Sequence, residues 1–168
     1  LFMHCWRLRE RILDIFESVC GGRVILSYTL IGGVTKDIDA PMLAAIKDTL
    51  KGIKKEYGEI CNAFLKDSSV KNRTLGVGYI DHDSALEYGM LGPFARASNV
   101  NNDVRCLGLD GYGKLSSFEP ILDEGGDCYA RMKVRALEVL QSIDIITELI
   151  DKAPEGPVHV AVKGSPAA

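Results

Sequence analysis

Two short segments hold most of the side chains that could do chemistry. Arg96, Ser98, Asp103 and Arg105 fall within ten positions, and Asp127 and Arg131 stand four apart. Two guanidinium groups and a carboxylate can satisfy one another through bidentate, charge-assisted hydrogen bonds. The first group therefore reads as a loop-pinning ion-pair network. The same residues could also line a path to a redox centre or grip a partner. Asp127 and Arg131 read as a helix cap followed by an i,i+4 pair. The alternative is that Arg131 reaches across to the 96–105 segment. Asp81-His82-Asp83 has the residue types of a metal or acid–base cluster, but it precedes a helix, where such residues cap.

The cysteines carry less. Cys5, Cys20, Cys61, Cys106 and Cys128 are odd in number and widely spaced, with no Cys-x-x-Cys. Free thiols in a reducing compartment are the simplest reading. Cys128, in the first turn of a helix, reads as a small packed residue. His4, His82 and His159 lie far apart, and no His/Cys/Asp/Glu cluster has metal-ligand spacing. No metal site is expected within these residues.

These groups must be positioned by a few amphipathic elements. Residues 4–20 read as a helix with Leu8, Ile12, Ile15 and Val19 on one face, stopped by Gly21-Gly22. Residues 23–31, β-branched and bounded by double glycines, read as a strand. A long helix follows from Asp39-Ala40-Pro41 to about residue 66, ended by Asp67-Ser68-Ser69. Gly52 and Gly58 interrupt it, which close helix packing would explain. An extended piece is expected at 75–80. A short helix is expected to start at Ser84, from the capping-box spacing of Ser84 and Glu87. Irregular structure with small ordered pieces is expected over 89–124. A last helix should run from 128 to 151 behind Asp127, followed by a terminal strand at 158–162. The fold class is α+β, mostly α, with a few short strands.

The 168 residues suit one domain, and a hydrophobic fraction of 46% can build an ordinary core. A net charge of −3 gives no footprint for nucleic acid. No apolar run reaches the roughly 18 residues of a spanning helix. No signal peptide is visible at Leu1-Phe2-Met3-His4-Cys5-Trp6-Arg7. The opening lies inside a helix, which reads as a piece of a longer chain.

Several stretches, taken in order, resemble one family. They are Phe16-Glu17-Ser18-Val19-Cys20-Gly21-Gly22-Arg23, then Tyr28 with Gly32-Gly33-Val34, then Asn72-Arg73-Thr74, then Ala85-Leu86-Glu87-Tyr88-Gly89. The stretch from Arg96 to Arg105 follows, then Gly126-Asp127-Cys128-Tyr129-Ala130-Arg131 and Pro154-Glu155-Gly156-Pro157. The family is that of the large subunits of energy-converting nickel–iron hydrogenases (carbon-monoxide-induced and formate-hydrogenlyase type). It also contains the 49-kilodalton subunit of respiratory complex I.

The resemblance implies the helical core of that large-subunit fold, with residues 1–168 its central part. It implies an oxidoreductase parent in a membrane-associated electron-transfer complex, peripheral on the cytoplasmic face. The main neighbour would be a small subunit bearing an iron–sulfur cluster. A nickel–iron centre is implied for the parent only, because both cysteine pairs that hold it would fall outside this chain, which by itself would be inactive. The family's Glu-Ala-Pro-Arg-Gly segment would be expected beyond Lys163-Gly164-Ser165-Pro166. The complex I branch would instead imply an NADH–quinone oxidoreductase subunit facing quinone and linked to NAD. Relatives of that branch carry His where this chain has Ile25, and Trp where it has Asn102, so both departures point to the hydrogenase side. A non-catalytic scaffold relative is the third reading.

Overall fold

The computed structural model describes residues 1–108, 112 and 115–162. The expectations at Lys163-Gly164-Ser165-Pro166, and at 109–111, 113 and 114 of the irregular stretch, lie outside the described residues. The chain divides into two compact units, one formed by Leu1–Ile53 with the stretch from Lys152, the other by Lys54–Asp151.

In the first unit, helix α1 (Phe2–Cys20) buries Leu8 and Leu13. It stops where Gly21 turns left-handed at φ 75° and gives its N–H to the Glu17 carbonyl, the glycine C-cap that the sequence suggests. The strand expected over 23–31 needs correction. Only β1 (Thr29–Leu30) pairs, with β2 (Gly33–Val34), in the antiparallel register Thr29↔Val34 and Leu30↔Gly33. Gly32 makes the hairpin turn after β1 at φ 98°. β2 offers only two residues, and past the Thr35 N–H that the Tyr28 carbonyl accepts at 2.9 Å, residues 23–27 have no strand to pair with among the described residues. Arg23 instead reaches three carboxylates on α1: Glu10 at 2.6 Å, Asp14 at 2.7 Å and Glu17 at 2.7 Å.

The terminal strand expected at 158–162 is reduced to a single antiparallel bridge, Gly33↔His159. The Val158 carbonyl sits where a Cβ on Gly33 would go, so the backbones can approach this closely only without a side chain there. Helix α2 (Ala40–Lys66) begins behind Asp39, whose Oδ1 accepts the Met42 N–H at 2.9 Å. Gly52 leaves the room that the Arg11 guanidinium fills, 2.7 Å from where its Cβ would stand.

The second unit holds the rest of α2, α3 (Ser68–Thr74), α4 (His82–Glu87), α5 (Gly92–Arg96), a 3-10 turn (Val104–Leu107) and α6 (Cys128–Asp151). Asp67 follows the end of α2 at Lys66, where the sequence places it, and also caps α3, accepting the Val70 N–H. Residues 75–78 turn rather than extend, with Gly76 and Gly78 both at positive φ. α4 starts at His82 because Asp81, not Ser84, is its cap.

Two cores of small side chains bring these short helices close. Ala85, Ala95 and Val100 pack with Ile80 and Met90; Ala97, Ala130 and Val134 pack with Ile121. Residues 115–124 lie along α6 as a strap fastened mainly by polar groups. Lys133 holds Asp123 at 2.6 Å, and Glu148 accepts the N–H groups of Ser116 and Ser117 at 2.8 and 2.7 Å.

Candidate functional site

All six singled-out polar residues lie in the second unit. Arg96 closes α5, and Asp103 caps the 3-10 turn that carries Arg105. Their side chains meet. The Asp103 carboxylate, with its side chain 2% exposed, receives Arg96 at 2.9 Å and Arg105 at 2.6 Å. Arg105 also donates its Nε to Asp103 Oδ1 at 2.9 Å, so that pair is bidentate.

A fourth member comes from α6. Glu138 Oε1 accepts Arg96 at 2.5 Å and Arg105 at 3.2 Å. The cluster is balanced, two guanidiniums against two carboxylates, which is what makes burial of such charges tolerable. Arg105 also lies over the Phe118 ring at 4.9 Å. The Arg105 hydrogen bond holds the Asp103 carboxyl below its ordinary range, against burial, which pushes the other way.

Glu138 was missed by sequence reasoning. Its signal was a charged residue one turn after Val134, on the face that α6 buries.

Ser98 does not join this cluster. Its Oγ donates to the Ile80 carbonyl at 2.8 Å, and its own carbonyl meets His82 Nδ1 at 3.2 Å. The backbone between them is tied to the strap: Asn99 N–H to Asp123 O at 2.8 Å, Asp123 N–H to Arg96 O at 2.9 Å, and Gly126 N–H to Ala97 O at 2.8 Å. Asn99 sits at φ 59°, a conformation that asparagine tolerates.

Asp127 is the α6 cap, accepting the Ala130 N–H at 2.8 Å, and its second oxygen accepts the Gly76 N–H at 2.7 Å. Arg131 makes neither of the two expected contacts. Its guanidinium binds the Gly78, Gly126 and Asp127 carbonyls and lies over Phe94 at 4.2 Å. The carboxylate of Asp127 is already used by two backbone N–H groups, so the i,i+4 pair is not formed. Asp81 caps α4, which leaves Asp81-His82-Asp83 as a helix start.

The chemistry of this arrangement is positional. Its charges are matched to each other, while the buried Arg96 Nε has no acceptor among the described residues. Among the described residues no three His, Cys, Asp or Glu side chains come together to hold a metal. They do not form the thiolate set that a nickel–iron centre needs. No described helix is long and apolar enough to cross a membrane.

Outward-facing groups lie elsewhere. Val24 and Ile25, beside the anchored Arg23, are 82% and 85% exposed. Asn102 is exposed too.

Residues 1–166 match the family described as the respiratory-chain NADH dehydrogenase, 49 Kd subunit. A relative from Phocaeicola vulgatus, part of its NADH-quinone oxidoreductase, is 41% identical over 96% of this chain and 31% of its own length. The alpha chain of the membrane-bound hydrogenase of Pyrococcus furiosus is 34% identical over 94% of this chain and 39% of its own length. Among solved structures, a chain of the membrane-bound sulfane sulfur reductase, an archaeal respiratory membrane complex, superposes with a TM-score of 0.83. It is 35% identical over 94% of this chain and 43% of its own length. The chain thus spans well under half the length of these relatives.

Proposed function

The chain belongs to the family of the respiratory-chain NADH dehydrogenase 49-kilodalton subunit, and from that premise we propose that it is the central part of a hydrogenase-type large subunit working inside a membrane-associated electron-transfer complex. In this reading the parent is an oxidoreductase of the hydrogenase-3 type, peripheral on the cytoplasmic face. The nickel–iron centre belongs to parts of the parent outside these residues. A small subunit with an iron–sulfur cluster is the main neighbour, and the chain by itself is inactive.

One observation carries this reading: Ile25, 85% exposed, on a loop whose base is fixed by Arg23 to three carboxylates of α1. The resemblance implies that this position lies beside the partner's cluster, where complex I relatives carry a titratable His. An isoleucine there offers an apolar contact and no proton. It supports electron transfer past this point without a proton exchanged at the side chain, which favours the hydrogenase branch over the complex I one.

A second reading, an NADH–quinone oxidoreductase subunit of the 49-kilodalton type acting with quinone and NAD, is favoured by a different observation. Identities of 36–41% join this chain to subunits of such enzymes.

The complex containing the chain is the material for the test. Hydrogen evolution from a reduced viologen, with nickel in the purified complex, is the expected result. Quinone reduction driven by NADH, without nickel, overturns the first reading in favour of the second.

A further inference from the structure

We draw no further inference here: the strongest candidate, the open groove of about 610 Å³ in the first unit between the last turns of α1 and the first turns of α2, lined by Ile15, Pro41, Met42, Ala45 and Ile46, carries nothing because nothing in the structure shows what covers it.

Discussion

At the scale of single residues, Asp103 decides how well the buried Arg96 and the half-buried Arg105 are paired. Asp103→Ala leaves Arg96 with Glu138 alone and removes the bidentate contact of Arg105. The expected loss is about 3–5 kcal/mol, the range for breaking a buried pair. A urea melt checks it, and a midpoint shift worth less than about 1 kcal/mol would mean that the cluster behaves as a solvated one. The pH dependence follows from the same carboxylate. Its pKa is lowered in the folded chain by Arg105, so its contribution is present above the unfolded value of about 3.9 and is lost as pH falls through the lower folded value. Urea midpoints of the wild type should therefore fall below about pH 4 more steeply than those of Asp103→Asn. Charge spacing in the sequence pointed to Arg96, Asp103 and Arg105 as a group, and the structure brings those three together. It could not supply Glu138, because a contact across 42 residues depends on which face α6 presents. The role of Arg131 was also beyond reach, since its acceptors are carbonyls of turns whose shape is set by Gly78 and Gly126 at positive φ.

At the scale of elements, the long helices were legible and the strands were not. α1, α2 and α6 each repeat apolar residues at helical spacing over many turns and carry a recognisable stop or cap in Gly21, Asp39 or Asp127. Residues 23–31 have the composition of a strand, but pairing needs a neighbour of equal length, which composition does not reveal. The glycines separate the same two kinds of information. Gly58 lies within α2 with nothing near its absent Cβ. Gly58→Ala should stabilise by up to about 1 kcal/mol through helix propensity, read as a higher urea midpoint. Gly126 is at φ 62°, and an added Cβ would meet the Ile80 carbonyl. Gly126→Ala should cost at least the 1–2 kcal/mol or so of left-handed strain and should also weaken the Ile80–Gly126 hydrogen bond. A Gly126→Ala chain as stable as the wild type would show that the turn can be rebuilt.

At the scale of the whole molecule, exposed apolar surface dominates what the isolated chain should do in solution. Val24, Ile25 and Ile31 are 82%, 85% and 66% exposed on the first unit, and Tyr88 and Leu91 are 73% and 71% exposed on the second. Patches of this kind mark covered surfaces in an assembly. The isolated chain is expected to self-associate with rising concentration and to bind a hydrophobic dye. Val24→Ser with Ile25→Ser should reduce both, as followed by sedimentation and dye fluorescence; a monodisperse wild type at high concentration would contradict this. Elemental analysis of the same material is expected to find no stoichiometric nickel or iron. The strap over α6 has a kinetic consequence of a different kind. Glu148 and Lys133, not a continuous apolar seam, hold its two ends. The 116–117 end, held by its N–H groups on the Glu148 carboxylate and not by the core that takes Ile121, has little to resist solvent once that contact lets go, so the amide hydrogens of Ser116 and Ser117 should trade with deuterium together, ahead of those of α6 beneath them.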